Sequence, residues 1–241
     1  MDAAVMHSGS DQSDSVPRSG AFFGRRKGKA LRAGQARLFA TLLPTLCIDL
    51  QSSAPSSLDA LFHDAVREVR LEIGFGGAEH LIAQAAANPD CGFIGVEPFL
   101  NGMAKALAAI DAKGLTNIRL HHGDATDLLA WLPPAALSTV YLLYPDPWPK
   151  RRHWKRRFVQ DASIAAIARV LKPGGIFRFA SDIPDYAAWT LVRLLRSPEF
   201  EWTAERADDW RKPWPDFLRT RYEAKAVREG RTPCYLTFRR R

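Results

Sequence analysis

Apolar runs of strand length alternate with helical stretches over most of this chain, from about residue 66 to residue 196. Strict alternation predicts βαβ units, which assemble into a parallel, doubly wound sheet with helices on both faces. The predicted strands span residues 69–73, 92–96, 118–120, 139–144 and 176–180. The predicted helices span residues 79–87, 100–112, 127–131, 158–171 and 186–196. Residues 200–206 and 234–239 are two further strand candidates without a clear helix between them, and we expect them to pair antiparallel at the end of an α/β, Rossmann-like sheet.

Length and composition limit the classes of protein to consider. The chain has 241 residues, 46% of them hydrophobic, which suffices for one large domain or two small ones. The net charge of +8 favours a polyanionic partner, nucleic acid or an anionic membrane face, although an ordinary basic soluble protein has the same charge. No apolar run has the length of a membrane span, and no signal peptide is evident. Three distant cysteines show no metal-ligand or disulfide spacing, so we expect a reducing, cytoplasmic location and no metal.

The predicted domain organisation has three parts. Residues 1–20 are polar and poor in aromatics, and we expect them to be disordered. Residues 21–62 form a basic N-terminal extension that opens with two phenylalanines and several cations, and its apolar stretch at 38–46 is expected to cap the main body. Residues 63–241 form the main α/β domain.

An acidic residue lies at or beside the end of each of the first four predicted strands: Glu72, Glu97, Asp124 and Asp146. Ligands of doubly wound sheets bind at the carboxyl ends of the strands, where the strand order reverses. Glu97 also follows the glycine loop after the first strand by about 20 residues, which is the spacing of an acid that binds ribose hydroxyls. The pattern therefore predicts a ligand site at this edge of the sheet.

The glycine loop by itself is a weak signal. Gly74, Gly76 and Gly77 are compatible with a nicotinamide cofactor, but Glu79 stands where a dinucleotide-binding loop ends in Gly or Ala. Since Glu72 precedes the loop, a pyrophosphate docked there would meet two carboxylates. The residues therefore favour a ligand without phosphate.

S-adenosylmethionine has a ribose, an adenine, an ammonium and a sulfonium, and it fits these acids. We expect Glu72 near the methionine end, Glu97 on the ribose hydroxyls and Asp124 near the adenine amino group. Each residue alone also has an ordinary structural role, because the glycines suit a tight turn, Glu72 or Glu79 the helix dipole and Asp124 a helix cap. The joint placement at successive strand ends favours the cofactor.

The fourth strand ends in Tyr144-Pro145-Asp146-Pro147-Trp148. The two prolines restrict the backbone on both sides of Asp146, which suits a side chain that must position a substrate. A plain turn is the structural alternative. Trp148 is either a platform for a stacked base or an aromatic at the core edge, and the sequence does not separate these.

A basic run follows this loop and leads into the helix predicted from residue 158. Cations at a helix N-terminus oppose the helix dipole, so we interpret the run as a phosphate-binding surface. The candidate RNA-binding residues are Arg152, His153, Trp154, Lys155, Arg156 and Arg157.

The motifs together resemble the bacterial tRNA (guanine-N7-)-methyltransferase family, and the resemblance covers the chain from about residue 22 to its end. Ala78 and Pro149 depart from that family's usual Gly and His. The matching residues are Phe23, Arg25-Arg26, Glu72-Ile73-Gly74-Phe75-Gly76, Val96-Glu97, Asp124-Ala125, Tyr144 to Trp148, Lys150, the basic run to Arg157, Leu171 to Gly175, Ser181-Asp182, and Thr220-Arg221-Tyr222-Glu223.

The resemblance implies methyl transfer from S-adenosylmethionine to N7 of a guanosine in the tRNA variable loop. It implies that Asp146 is the catalytic residue. It also implies that six residues bind the cofactor: Glu72, Gly74, Gly76, Glu97, Asp124 and Asp146. It assigns substrate binding to Lys150, Asp182, Thr220, Arg221, Tyr222 and Glu223. We expect tRNA as the partner, with no membrane and no obligate protein partner.

Two other classes of protein are the alternatives. A non-catalytic RNA-binding protein on a Rossmann-like fold would keep the basic run without the acids at the strand ends. A nicotinamide oxidoreductase would have a loop suited to phosphate. Calorimetric measurement of the affinities for S-adenosylmethionine and for NAD distinguishes these alternatives.

Overall fold

A computed structural model describes residue 24 and residues 28–241, and the structural statements below concern that part of the chain. Its centre is a seven-stranded sheet. In chain order the strands are β1 (Glu68–Ile73), β2 (Cys91–Val96), β3 (Ile118–His121), β4 (Leu137–Leu143), β5 (Leu171–Ser181), β6 (Phe200–Trp202) and β7 (Cys234–Arg240).

The strand order is β3-β2-β1-β4-β5-β7-β6. Strands β1 to β5 pair in parallel, whereas β7 lies antiparallel between β5 and β6. The predicted mostly parallel sheet with an antiparallel C-terminal strand is therefore confirmed. The order reverses beside β1, where Ile73 is level with Val96 of β2 and Leu142 of β4.

Helices cover both faces of this sheet because the central strands are apolar on both sides. In β2, Phe93 is buried in one cluster with Leu81 and Met103, whereas Ile94 and Val96 are buried in another cluster with Leu128, Ile164 and Tyr186. The helices are α1 (Ala33–Thr41), α2 (Leu43–Leu46), α3 (Glu79–Ala87), α4 (Leu100–Lys113), α5 (Ala125–Trp131), α6 (Asp161–Val170), α7 (Pro184–Arg196), α8 (Asp208–Arg211) and α9 (Arg221–Arg228).

Two sequence-based expectations about helices were wrong. The helix expected from residue 158 begins at Asp161, and Arg151–Arg156 form a separate 3₁₀ turn. The basic run therefore does not occupy the first turn of α6, and the argument from the helix dipole does not apply to it. The chain between β6 and β7, where no clear helix was seen, contains α8 and α9.

The segment before β1 packs on the sheet domain. Leu38, Leu43 and Leu46 of α1 and α2 are buried in one cluster with residues of α3, α4 and β3. The Ile48 N–H donates to the Leu120 carbonyl at 2.8 Å. The predicted disorder of residues 1–20 and most of the basic segment at 21–27 lie outside the described residues, and the boundary at residue 63 stays a prediction. No helix in the described ranges is long and apolar enough to cross a membrane.

Candidate active site

A cavity of about 600 Å³ opens at the carboxyl ends of β1, β2 and β4, where the strand order reverses. This is the edge at which doubly wound sheets bind ligands. It brings together residues from six parts of the chain that the sequence singled out. The predicted site residues that line it are Gly74, Gly76, Glu97, Asp124, Asp146, Lys155, Arg156, Arg157 and Tyr222.

The glycine loop has a backbone that requires glycine. Gly74 and Gly76 have φ angles of +68° and +55°, in the left-handed region where side chains are disfavoured. A Cβ at Gly74 would meet nothing within 4 Å, so this loop leaves open room beside it. A Cβ at Gly102 in α4 would lie 2.4 Å from the Gly76 carbonyl oxygen, so the close approach of α4 to the loop depends on Gly102 as well.

Glu97 is held rigidly at the cavity wall. It is 7% exposed, its Oε2 accepts from the Gly76 N–H at 2.7 Å, and its Oε1 accepts from the Phe99 N–H at 2.9 Å. Burial raises the pKa of the Glu97 carboxyl, while the two backbone N–H groups act against that rise. Because each oxygen receives one backbone hydrogen bond, each keeps a lone pair for a ligand hydroxyl.

Asp124 is both a helix cap and part of the cavity wall, whereas a structural cap and a ligand site were alternatives from the sequence alone. It is the N-cap of α5, and its Oδ1 accepts from the Thr126 N–H at 2.9 Å. The same residue lines the cavity next to Thr126. A helix cap also fixes the direction of the carboxylate, so the two roles are compatible.

Asp146 lies at the mouth of the cavity on a strained loop. Its side chain is exposed, yet the surrounding walls desolvate it enough to raise the pKa of its carboxyl. Tyr144 and Trp148 on either side have φ angles of +52° and +43°, which are unfavourable for residues other than glycine. Strained backbone of this kind persists where surrounding contacts fix it, and it concentrates at functional sites.

The exposed cations of the 3₁₀ turn form a basic surface beside this mouth: Lys150, Arg151, Arg152 and Lys155. The Arg156 guanidinium lies 5.0 Å from the centre of the Trp148 ring. Desolvation and the neighbouring cations lower the pKa of His153, so its ring is neutral at pH 7 and adds no charge. Trp154 is half-buried and packs edge-on against Trp189 rather than standing free for a base.

Arg157 does not belong to this surface. It is 2% exposed, and its guanidinium is enclosed by Trp154, Tyr186 and Trp189. Arg157 therefore differs from its exposed neighbours, and its contact with RNA stays a prediction.

Glu72 also lies away from the cavity. Its carboxylate is buried, and its Oε2 lies 2.7 Å from Nδ1 of His80. Successive side chains of a strand point to opposite faces, and Ile73 is the β1 residue that lines the cavity. The expected contact of Glu72 with the methionine end of a cofactor stays a prediction.

Four of the predicted substrate-binding residues lie at the start of α9: Thr220, Arg221, Tyr222 and Glu223. Thr220 is its N-cap, and its hydroxyl accepts from the Glu223 N–H at 3.2 Å. The Arg221 guanidinium lies 3.6 Å from Glu79, whereas Asp182 accepts from Arg231 Nε at 2.5 Å. Lys150 lies apart from this cluster, in the basic surface.

Glu223 has a carboxylate oxygen without a hydrogen bond in the described residues. The residue is 3% exposed, and its Oε1 accepts from the Tyr235 hydroxyl. Its Oε2 receives no hydrogen bond and has the Arg219 Nε at 3.8 Å. Burial raises the pKa of Tyr235 and of the adjacent Tyr144, so both phenols stay protonated.

Sequence reasoning missed several groups at this site. Gln160 and Ser163 line the cavity from the start of α6, and Phe99 lines it from the start of α4. The Tyr235 hydroxyl donates to Glu223 from the start of β7, and Tyr144 lies near this pair at the end of β4. The positions of Tyr144, directly after β4, and of Phe99, shortly after β2, were a usable signal, whereas Gln160 and Ser163 had none.

Comparisons with known proteins agree with this geometry. The family model described as "Putative methyltransferase" matches residues 66–236. The tRNA (guanine-N(7)-)-methyltransferase of Rhodopseudomonas palustris (strain BisB5) is 61% identical, over 95% of this chain and 90% of that protein. The enzyme of the same name from Nitrobacter hamburgensis is 62% identical, over 92% of this chain and 87% of that protein. The crystal structure of the 16S rRNA methyltransferase KamB covers 73% of this chain and 88% of its own, with a TM-score of 0.54 and 19% identity, which shows the fold alone.

The reversed strand order, the antiparallel β7 and the cavity behind the glycine loop define a Rossmann-like methyltransferase, and the matching family model shows that this chain is an enzyme of that class. Its high identity to the curated relatives, over nearly their whole length, identifies the family within that class. The chain belongs to the tRNA (guanine-N7-)-methyltransferase family.

Proposed function

We propose that this enzyme transfers a methyl group from S-adenosylmethionine to N7 of a guanosine in the variable loop of tRNA. The observation that carries the proposal is the juxtaposition, at one sheet edge, of a cavity with Glu97 at its wall, Asp146 at its mouth and a basic surface beside it. The names of the close relatives support the choice of tRNA and of N7.

The residues present fit S-adenosylmethionine. The open room beside Gly74 admits a ligand close to the backbone, and the free lone pairs of Glu97 suit the two ribose hydroxyls. Asp124 would accept from the adenine amino group. When bound, S-adenosylmethionine supplies a methyl group activated by a sulfonium. Gly74, Gly76, Glu97 and Asp124 would hold it.

The chemistry at guanine needs positioning more than proton transfer. N7 has a lone pair and no proton, so no general base is required, and alignment of the reacting atoms supplies most of the rate. The purine becomes cationic as the bond forms. A carboxylate at the position of Asp146 stabilises that charge or holds the base edge. Glu223 Oε2 is buried and receives no hydrogen bond from the described part of the chain, so it is a candidate acceptor for the guanine N–H donors, together with Asp182 and Thr220.

The basic surface would hold the surrounding RNA while the target base is extruded into the cavity mouth. Its exposed cations suit phosphates because they are not tied into the core. Cys47, Cys91 and Cys234 are all unpaired, which is compatible with the reducing cytoplasm that we propose as its location.

The decisive experiment locates the modification chemically. N7-methylguanosine in tRNA breaks at the modified site after borohydride reduction and aniline treatment, so the wild-type enzyme should produce one scission in the variable loop. Asp146→Ala should lose about 2–4 kcal/mol of transition-state stabilisation. Asp146→Asn should retain part of the activity if the side chain mainly holds the base, and should match Ala if charge dominates.

The matched control is Asp90→Ala, because Asp90 is an exposed acid that precedes β2 at the opposite edge of the sheet. It should keep wild-type scission. Wild-type turnover by Asp146→Ala, or methylation at another guanine atom, would show that the proposal is wrong.

A further inference from the structure

Arg157 is a cation enclosed by aromatic rings at the back of the Asp146 loop. Its guanidinium carbon lies 4.9 Å from the ring centres of Trp154 and Tyr186 and 5.0 Å from that of Trp189. Two of these rings belong to α7, so the enclosure joins the 3₁₀ turn to that helix. Burial of a charge is costly unless partners compensate it.

The hydrogen bonds of Arg157 connect two functional parts of the fold. Its Nε–H donates to the Pro147 carbonyl at 2.9 Å, next to Asp146 in the chain. A terminal nitrogen donates to Asp185, in the first turn of α7. One planar side chain therefore ties the Asp146 loop to a helix anchored in the core.

The Asp146 loop needs such a tie. The segment between β4 and the 3₁₀ turn has no regular secondary structure, and its three prolines have no N–H to donate. Trp148, directly after Pro147, has the unfavourable φ of +43°. A strained conformation is maintained only when contacts from elsewhere fix it.

We propose that Arg157 is a positioning residue for methyl transfer: through the Pro147 carbonyl it fixes the place of Asp146, and it does not bind RNA. The proposal rests on the proposed function of Asp146. It separates Arg157 from its exposed neighbours, which act on the RNA directly.

Arg157→Leu tests the proposal, because leucine keeps apolar volume among the three rings and removes both hydrogen bonds. Asp185, the ion-pair partner that remains, has a side chain that is 56% exposed, so its charge stays solvated and no buried charge is left unpaired. We expect kcat to fall on the order of 10²-fold, the size of effect that a misplacement of about 1 Å produces. The KM for tRNA, its salt dependence and the affinity for S-adenosylhomocysteine should stay near those of the wild type. Arg157→Lys, which retains one donor, should recover part of kcat.

The contrasting variant is Arg152→Gln, which removes an exposed cation. It should raise the KM for tRNA and reduce its salt dependence. If Arg157→Leu gives this same pattern, Arg157 binds RNA and the proposal is wrong. If Arg157→Leu is folded, as shown by its melting temperature, and keeps wild-type kcat, a positioning role is excluded.

Asp185→Asn provides a second route should Arg157→Leu fail to fold. This variant weakens the contact between Arg157 and α7 but leaves the hydrogen bond to the Pro147 carbonyl. We therefore expect kcat to fall by less than in Arg157→Leu, with an unchanged KM for tRNA. A wild-type kcat would overturn the proposal. Absence of any scission with the wild-type enzyme would instead contradict the proposed function itself. The two failures are therefore distinguishable.

Discussion

At the scale of single residues, backbone geometry fixes the carboxylate of Glu97. Two backbone N–H groups donate to its oxygens at 2.7 and 2.9 Å, so the side chain would not need to reorganise to bind the proposed ribose diol. Its position also depends on Gly102, which allows α4 to approach the Gly76 carbonyl.

The first prediction concerns Glu97→Ala, which removes the proposed ribose acceptors. The affinity for S-adenosylhomocysteine, measured by calorimetry, should fall by about 2 kcal/mol, the value of hydrogen bonds to a charged group. The control is Glu201→Ala, since Glu201 is an exposed acid on β6 away from the cavity. Full affinity in Glu97→Ala would remove Glu97 from the cofactor site.

The second prediction concerns pH. Desolvation raises the pKa of Asp146, so on acidification its carboxylate becomes protonated at a higher pH than that of an ordinary aspartate. Activity that depends on the carboxylate is complete above this raised pKa and declines as the pH falls through it. In a profile of kcat against pH, Asp146→Asn should have lower activity and lack the Asp146 contribution to the acid limb. An unchanged limb in that variant would assign the titration to another group, such as Glu97.

At the scale of elements, the 3₁₀ turn explains how a basic run can serve two purposes. Most of its cations point to solvent at the cavity mouth, while Arg157 at its end turns into the core. The third prediction follows from this division. Lys155→Gln should weaken tRNA binding and reduce the slope of log K against log salt by roughly one unit or less.

Lys113→Gln is the control for charge, because Lys113 is exposed at the C-terminal end of α4, at the opposite edge of the sheet. The salt slope should change less in this variant than in Lys155→Gln. Equal slopes in the two variants would mean that the turn is only a solvated face.

The parallel part of the sheet was predictable because buried strands of α/β proteins are continuous apolar runs between stop signals. Helices α8 and α9 were not, since they are short and polar, and only Glu223 and Ala226 of α9 are buried. The start of α6 was misplaced because the 3₁₀ turn before it has no distinctive pattern.

The site was predictable where it depended on the ends of strands. Asp124 and Asp146 follow β3 and β4 and line the cavity, as does Glu97 after β2. Glu72 lies one residue before the end of β1, so its side chain points to the face opposite that of Ile73, and its role toward a cofactor stays a prediction. The burial of Arg157 depends on rings supplied by α7, which no local pattern encodes.

At the scale of the whole molecule, the segment before β1 is packed into the same structure as the sheet. Leu46 of α2 is 7% exposed and shares a cluster with Leu107 of α4 and Leu120 of β3. Since α4 begins beside Glu97, stability of this packing also concerns the cavity wall. We therefore expect residues 33–46 to unfold together with the sheet rather than as a separate appendage.

The last prediction tests this cooperativity with Leu46→Ala. Truncation of a buried leucine should lower the free energy of unfolding by about 2–5 kcal/mol, measured in urea by a shift of one shared transition with an unchanged m-value. The control is Leu195→Ala in α7, where the side chain is 55% exposed and the change should stay within about 0.5 kcal/mol. A second, earlier transition in Leu46→Ala, with the main transition unshifted, would show instead that α1 and α2 form an independent extension, because the loss of their contacts would then leave the sheet domain unaffected.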